Sequence, residues 1–132
     1  MAPEIILQLL LATFLGALLG LEREYKRKEA GLQTYSLVAL GTCLFTLVSL
    51  KFIGFNPALL AVGIGFIGAG VIFHRENSTQ GLTTAAGLWA TAAIGIAVGT
   101  KFYFLAGFAT LLAILIFAGF GLLEGKIFKK TN

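Results

Sequence analysis

Charged residues are scarce in this chain of 132 residues: Asp, Glu, Lys and Arg make up 12%, and hydrophobic residues make up 58%. A soluble domain is on average about one quarter charged. Because a small soluble globule cannot hide so much apolar surface in one core, the mean hydropathy of +0.92 indicates that lipid is the main solvent of this protein. The composition also excludes a disordered chain, and we expect no nucleic-acid partner.

Cysteine and histidine occur once each, at Cys43 and His74. A single Cys cannot form an internal disulfide, and the two residues offer no cluster for zinc or iron–sulfur ligation. No motif places a Ser/His/Asp set, and in its charged loop His74 is expected to be a solvated side chain. We therefore expect no enzymatic activity and no cofactor. Magnesium binding stays open, because Mg²⁺ is often held by few carboxylates and the glutamate spacing diagnoses no site.

Long charge-free runs are what the sequence has in abundance. Charged residues are absent from 30–50, 52–73, 77–100 and 102–123. Each run has about 21 to 24 residues, which at ~1.5 Å per helical residue crosses a hydrocarbon layer of ~30 Å. A further run, 5–21, lies at the lower limit for spanning. The sequence thus predicts an all-α polytopic membrane protein with one transmembrane domain over 1–132. Its five spans are predicted at about 5–21, 34–50, 57–73, 82–100 and 102–123.

The positive charges fall mainly on one set of alternate connections between these spans. The richer side carries Arg23, Lys26, Arg27, Lys28, Arg75, Lys126, Lys129 and Lys130. The other side carries only Lys51 and Lys101. The positive-inside rule therefore predicts a cytoplasmic-membrane protein whose N-terminus is outside and whose C-terminus is in the cytosol.

A faint internal repeat has an offset of about fifty residues. Gly20 is followed eleven residues later by Gly31-Leu32-Gln33-Thr34, and Gly70 is followed eleven residues later by Gly81-Leu82-Thr83-Thr84. The repeat predicts two helical hairpins of the same orientation plus a peripheral fifth helix, as in parallel-repeat transporters. The alternative is two ordinary helix connections with similar caps, in which Thr34 and Thr84 cap the returning helices.

Small residues recur every four positions in several predicted spans. Membrane helices associate by close packing, and small residues at this spacing let two backbones approach. The third and fourth spans carry the densest runs and are predicted to pack together at the centre, with the Phe- and Leu-rich fifth span facing lipid. The residues predicted to pack helices, or alternatively to line a pore, are Gly16, Gly20, Gly63, Gly65, Gly68, Ala69, Gly70, Gly87, Trp89, Thr91 and Gly95.

Polar side chains concentrate at the predicted cytosolic mouth. Glu22 and Lys26, and likewise Glu24 and Lys28, stand at helical spacing, so the first helix is predicted to continue into water. The alternative for this segment is a topology anchor. If the repeat is real, polar groups of both halves converge in a shallow vestibule. The candidate site consists of Glu22, Arg23, Glu24, Thr34, Arg75, Glu76, Thr83 and Thr84.

Several strings together resemble the MgtC/SapB family of small bacterial and archaeal membrane proteins. They are Gly20-Leu-Glu-Arg-Glu24, Ala30-Gly-Leu-x-Thr34, Leu37-Val-Ala-Leu-Gly41 with Leu44-Phe45, Gly63-Ile-Gly-Phe-Ile-Gly-Ala-Gly-Val-Ile72, and Gly81-Leu-Thr-Thr-Ala-Ala-x-Leu-Trp89 followed by Ala92-Ala-Ile-Gly95. The resemblance implies a five-helix domain of the cytoplasmic membrane, linked to adaptation to magnesium limitation and, in pathogens, to survival inside host cells. Longer members continue into a soluble domain, so the chain looks like the membrane domain alone.

The resemblance also implies a regulator that acts on other membrane proteins, including the rotary ATP synthase. Three departures weaken transfer of the virulence-type role: Gln33 stands where the family commonly has Arg, and Thr83 and Ala90 stand where virulence-type members have Asn and Cys.

Two functional classes follow. The first, which we prefer, is a non-enzymatic protein that binds another membrane protein or a second copy of itself within the lipid, because ion pathways usually contain intramembrane charges. The second is a small magnesium or other cation channel lined by the Gly-rich third span, since carbonyl-lined filters need no charged side chain.

Overall fold

The structure is a computed structural model that describes residues 2–127, except for the side chain of Arg75. Lys129 and Lys130, counted above as positive charges, lie outside the described residues. The elements are helices α1 (Ala2–Tyr25), α2 (Leu32–Ser49) and α3 (Ala58–Gly70), strands β1 (Phe73–Arg75) and β2 (Ser78–Gln80), helices α4 (Leu82–Gly99) and α5 (Tyr103–Leu115), a π-helical turn (Ile116–Phe120) and α6 (Gly121–Ile127).

Within residues 2–127, four helical segments are long and apolar enough to cross a membrane. They are α1, α2, α4 and the continuous segment Tyr103–Ile127. The architecture of a multi-pass helical membrane protein is therefore confirmed. The shortest predicted run, 5–21, belongs to a 24-residue helix, because α1 begins at Ala2 and continues through the charged residues to Tyr25.

The third predicted span, 57–73, differs from the structure. Its helix α3 has 13 residues, about 20 Å at ~1.5 Å per residue, and ends at Gly70. The chain then enters β1, which pairs antiparallel with β2 so that His74 lies opposite Thr79. The structure thus adds a short two-stranded hairpin to a mostly helical molecule, which is consistent with the predicted all-α class. The His74 side chain is exposed, as predicted, and its Nδ1 lies 2.9 Å from the Thr79 hydroxyl. The five-span count and the hairpin repeat stay predictions.

The centre of the bundle consists of α1, α2 and α4. Two glycines allow the backbones to approach: a Cβ added at Gly16 of α1 would lie 2.6 Å from the Tyr35 carbonyl oxygen, and one at Gly95 of α4 would lie 2.6 Å from the Ala39 carbonyl oxygen. Because α2 supplies both carbonyl groups, α2 is the middle helix. The fully or almost fully buried apolar side chains include Ala12, Leu19, Tyr35, Ala39, Cys43, Leu88, Ala92, Ile94 and Val98.

The predicted central position of the third helix is wrong. In α3 only Gly68 is buried, and a Cβ added there would lie 3.4 Å from the Cβ of Ala85. A Cβ at Gly63, Gly65 or Gly70 would meet no atom within 4 Å. The physical reason is that α1 and α2 occupy the close-packing positions beside α4, so α3 is left at the edge with most of its surface exposed.

The last helical segment follows the outside of the bundle, as predicted for the fifth span. Within α5 only Ala106 and Thr110 are buried, whereas Phe104 and Leu111 are exposed. The π-helical turn is the exception, because its Phe117 is 6% exposed and packs edge-on against the ring of Tyr35. Such turns are frequent at functional sites.

Candidate functional site

A buried arginine lies at the end of the bundle where α1 finishes and α4 begins, which we call the basic end. Arg23 is 3% exposed although it carries a full charge. Its Nη2 donates a hydrogen bond to the hydroxyl of Thr84 at 3.2 Å, and its guanidinium lies 4.3 Å from the centre of the Phe117 ring. Burying a charge is costly unless it is paired and hydrogen-bonded, so this environment identifies a specific site.

Thr84 connects four segments of the chain at this point. Its hydroxyl accepts from Arg23 and donates to Oε1 of Glu29 at 2.6 Å. Its carbonyl oxygen accepts from the hydroxyl of Tyr35 at 3.3 Å. The end of α1, the α1–α2 connection, α2 and α4 therefore meet at one residue. Neither Thr84 nor Thr34 caps its helix as predicted, because the N-caps Gly31 and Gly81 are followed by helices without a side-chain cap hydrogen bond.

The turn after α1 explains how Glu29 reaches Thr84. Arg27 has a φ of +55°, and the N–H of Lys28 donates to the carbonyl of Arg23 at 3.0 Å. This left-handed residue after the last helical turn is a common way to end a helix. The chain therefore reverses towards α4 and does not continue as a longer helix. The predicted Glu22–Lys26 pair forms at 2.7 Å, whereas Glu24 accepts from the N–H of Leu32 at 3.1 Å in place of pairing with Lys28.

Charges around Arg23 are balanced by short contacts. Glu22 lies 3.7 Å from Nη1 of Arg23, and Lys26 also donates to the carbonyl of Phe117 at 3.0 Å. Burial works to raise the pKa of Glu29, but the hydrogen bond from Thr84 and a backbone N–H outweigh it, so that pKa is below the usual value. Burial, together with the nearby charge of Arg23, lowers the pKa of Lys28. Within the described residues, Nε of Arg23 is buried without a hydrogen-bond partner.

A polar cavity of about 470 Å³, the basic cavity, opens beside this cluster. Its walls come from the α1–α2 connection, β2, the first residues of α4 and α6. They consist of Arg23, Arg27, Lys28, Glu29, Thr79, Gln80, Gly81, Leu82, Thr83 and Glu124. Next to it lies the apolar pocket, of about 290 Å³, which shares Arg23, Lys28, Thr83 and Glu124 with the basic cavity. Its apolar walls are Ile116, Phe117, Phe120 and Leu122.

The predicted vestibule is thus assembled only in part. Glu22, Arg23 and Thr84 lie together, and Thr83 lines the basic cavity. Glu24 hydrogen-bonds at the start of α2, and Thr34 lines a different, apolar surface. Glu76 is exposed in the β1–β2 turn with a φ of +34°. The side chain of Arg75 lies outside the described part of the chain.

The residues around Arg23 and Thr84 that were absent from the predicted set include Glu29, Tyr35 and Phe117. A carboxylate directly after three consecutive cations was a usable signal for Glu29. Tyr35, which follows the Gly-Leu-x-Thr re-entry, is an aromatic residue with a polar tip and therefore suited to a span end. Nothing in the sequence marked Phe117, because its inward position depends on the π-helical turn.

The predicted packing residues divide into two groups. Gly16, Gly20, Gly87, Thr91 and Gly95 are all buried between α1, α2 and α4. A Cβ at Gly87 would lie 2.5 Å from the Tyr35 hydroxyl and 2.6 Å from the Phe117 ring, so this glycine makes room for the site itself. Trp89 is 59% exposed and does not pack helices, and Gly63, Gly65, Ala69 and Gly70 are also exposed.

The exposed side of α3 borders a second surface, the glycine groove, of about 540 Å³ between α2 and α3. Its lining is almost wholly apolar and includes Thr34, Leu37, Gly41, Phe45, Leu59, Gly63, Ile64 and Ile67. A Cβ at Gly41 or Gly63 would meet no atom within 4 Å, so the groove has free space.

No group of three or more His, Cys, Asp or Glu side chains in 2–127 is arranged to hold a metal ion. Two acidic residues of the basic end contact other side chains: Glu22 pairs with Lys26, and Glu29 accepts from the Thr84 hydroxyl.

Comparisons with known proteins place this architecture in a family. Residues 9–126 match the model of the MgtC family. A Bacillus subtilis relative named SapB is 43% identical over 86% of this chain and 55% of its own length. A Salmonella typhimurium MgtC is 46% identical over 71% of this chain and 42% of its own length. An Escherichia coli relative named "Putative magnesium transporter YhiD" is 36% identical over 99% of this chain and 67% of its own length.

The chain spans about half the length of SapB and MgtC. No solved structure matches it. The family model covers most of the chain, and the relatives agree with it. The chain therefore belongs to the MgtC family, and its long apolar helices are those of a multi-pass membrane protein.

Proposed function

We propose that this chain is a non-enzymatic regulator that binds another membrane protein during magnesium limitation or stress and does not itself conduct ions. The observation that supports this most directly is the contrast between a closely packed centre and an open, glycine-lined groove at its edge. The centre leaves no room at Gly16 or Gly95 for even one added carbon atom. The groove offers about 540 Å³ of unfilled apolar space.

Polar groups inside the bundle are already engaged with the chain. The hydroxyls of Thr42, Thr46 and Thr91 donate to carbonyls of their own helices at 3.0, 2.7 and 2.7 Å. The amide of Gln8 donates to the carbonyl of Val98 at 3.0 Å. These bonds, each worth ~1 kcal/mol or more, hold the polar groups against the chain's own carbonyls, and the close packing leaves no room for an added atom at Gly16 or Gly95. This arrangement favours a structural interior over a conduction path.

The occupant proposed for the glycine groove is a transmembrane helix of the regulated protein. Gly41 on α2 and Gly63 on α3 lie on its walls, with open space above each. Membrane helices associate where small residues allow close backbone approach, because lipid gives no hydrophobic gain for burying Leu. A second copy of this chain is the alternative occupant, in which case the protein is a homo-oligomer.

The proposed orientation is the one that the charges favour. Arg23, Lys26, Arg27 and Lys28 all lie at the basic end, whereas Lys51 and Lys101 lie in the two connections at the opposite end. By the positive-inside rule the basic end faces the cytosol in the cytoplasmic membrane, with the N-terminus outside. Labelling a cysteine at position 28 tests this: reagent confined to the outside of intact cells should not reach it, and labelling there would reverse the orientation.

Docking is tested by photo-crosslinking from the groove in native membranes. A crosslinker at position 63 should form an adduct with one defined heterologous membrane protein, and the same group at Gly107 should not. Gly107 is a matched control, since a Cβ there also meets no atom within 4 Å but lies on α5. Adducts of equal yield and identity from both positions would contradict a specific groove, and adducts with a second copy would identify the homo-oligomer.

A second candidate function is transport of magnesium or another cation, which is favoured by the name of the YhiD relative. Because α3 lies at the edge of the bundle, its Gly-rich face could line a pore only between copies of the chain. Liposomes containing the purified protein should show no magnesium or proton flux above that of empty liposomes. Flux that rises with protein content and is lost in a folded Gly65→Leu variant would overturn the regulator in favour of the transporter.

A further inference from the structure

The basic cavity has the features of a phosphate-binding site. One wall is the start of α4, where Gly81, Leu82 and Thr83 line the cavity and no side chain caps the helix. The first N–H groups of a helix have no acceptor within the helix, and its N-terminus carries a partial positive charge. Helix N-termini are therefore favourable places for phosphate oxygens.

A second, independent feature is the buried arginine in the wall of the same cavity. Arg23 lines it while being 3% exposed, and its buried Nε has no hydrogen-bond partner among the described residues. Leaving a buried charged donor unsatisfied costs more than leaving a neutral one. The Nη1 and Nη2 atoms of Arg23 already contact Glu22 and Thr84, and an anionic ligand in the cavity would add a favourable interaction with the positive charge of this guanidinium.

The charges on the cavity walls also favour an anion. Three cations, Arg23, Arg27 and Lys28, line it together with two carboxylates, Glu29 and Glu124. The carboxylate of Glu29 already accepts from Thr84 at 2.6 Å. Arg27 is exposed and Lys28 partly exposed, so both are available to a ligand that enters from the water side.

The apolar pocket beside the basic cavity distinguishes a lipid from a soluble ligand. The two spaces share Arg23, Lys28, Thr83 and Glu124. The second space continues along Phe120 and Leu122. Phe120 and Leu122 are 60% and 59% exposed where the last helix leaves the charge-free run. A ligand that fills both spaces must carry a charged group and an apolar chain. The volume of about 470 Å³ falls within the ~300–1,000 Å³ of small-molecule sites.

We propose that the basic cavity binds a phosphate group, and that this group belongs to an anionic phospholipid whose acyl chain lies in the apolar pocket. The lipid joins the end of α1, the start of α4 and α6 at one point. This site is separate from the glycine groove, so it does not depend on the docking proposal.

Native mass spectrometry of the full chain with phosphatidylglycerol or phosphatidylcholine tests the proposal. Phosphatidylglycerol should be retained in preference to the zwitterionic lipid. The double substitution Arg27→Ala and Lys28→Ala should weaken its binding about tenfold or more, as expected for loss of charge-assisted hydrogen bonds. The matched control, Lys51→Ala with Lys101→Ala, removes the same charge from the opposite end and should leave binding unchanged.

The source of the phosphate is tested with Phe120→Ser and inorganic phosphate. This variant should weaken phosphatidylglycerol binding several-fold and leave the binding of inorganic phosphate, measured by equilibrium dialysis, unaltered. Equal binding of both lipids by wild type and by the Arg27/Lys28 double variant would overturn the proposal. Tight binding of inorganic phosphate with no effect of Phe120→Ser on the lipid would overturn the lipid as the source. Unchanged thermal unfolding of each variant establishes that the fold is intact.

Discussion

Helices α3 and α4 both contain dense runs of small residues, yet they occupy opposite environments. On α4, Gly87, Gly95 and Gly99 are buried against neighbouring helices. On α3, Gly63 and Gly65 meet no atom within 4 Å of an added Cβ. Small-residue spacing therefore permits close approach but does not determine which helix supplies the partner surface. For α4 that partner is α2, whereas for most of α3 no partner lies within the described chain.

The strongest test of this contrast compares the same substitution on the two helices. Gly95→Leu should destabilise the protein by about 3 kcal/mol or more, or prevent folding, because its side chain would overlap Thr42 and the Ala39 carbonyl. Gly65→Leu should be tolerated, since the added atoms enter open space. Thermal unfolding in detergent measures both. Equal losses at positions 95 and 65 would show that α3 is as tightly packed as α4.

Two neighbouring threonines compare the buried and exposed faces of α4. Thr84→Val removes the hydroxyl that connects Arg23 and Glu29 and should cost about 1–3 kcal/mol, because Arg23 loses a hydrogen bond in a buried place and Glu29 loses one in a partly buried place. Thr83→Val, on the exposed side, should change the unfolding temperature little. If the two variants unfold at the same temperature, the Thr84 connection contributes nothing to stability.

A smaller effect is expected from acid. The pKa of Glu29 is below its usual value in the folded protein, since the Thr84 hydrogen bond outweighs the effect of burial. A carboxyl with a lowered folded pKa stabilises the protein above its unfolded pKa and loses that contribution as the pH falls through the folded pKa. Unfolding temperatures between about pH 6 and 3 should therefore fall less for Glu29→Gln than for the wild type. Parallel curves would contradict this role of Glu29.

The smallest effect is expected at the one glycine of α3 that touches α4. A Cβ at Gly68 would lie 3.4 Å from the Cβ of Ala85, an ordinary contact distance. Gly68→Ala should be neutral or stabilise the protein by less than about 1 kcal/mol, because alanine lowers the entropy of the unfolded chain. A clear loss of stability would mean that α3 and α4 pack more closely than the structure has them.

The sequence predicted those features of the site that depend on consecutive residues and missed those that depend on tertiary packing. The charge-free runs indicated helices and their approximate bounds, and helical spacing indicated the Glu22–Lys26 pair, which forms at 2.7 Å. The hairpin of β1 and β2 was missed because three-residue strands are too short to show a period. Thr34 was grouped with Thr84 by the repeat, although in the structure it lines the glycine groove.

The sequence by itself determined that the protein lies in lipid, that it is helical and which family it belongs to. Hydropathy and local motifs are properties of consecutive residues. Only the tertiary structure decided which helix is central and which cations are buried. Periodicity assigns a residue to a face of its own helix but says nothing of what that face meets. Arg23 is buried because Thr84 and Phe117, which are distant in the sequence, contact it. Glu29 reaches the same cluster through the turn after α1 and contacts Thr84.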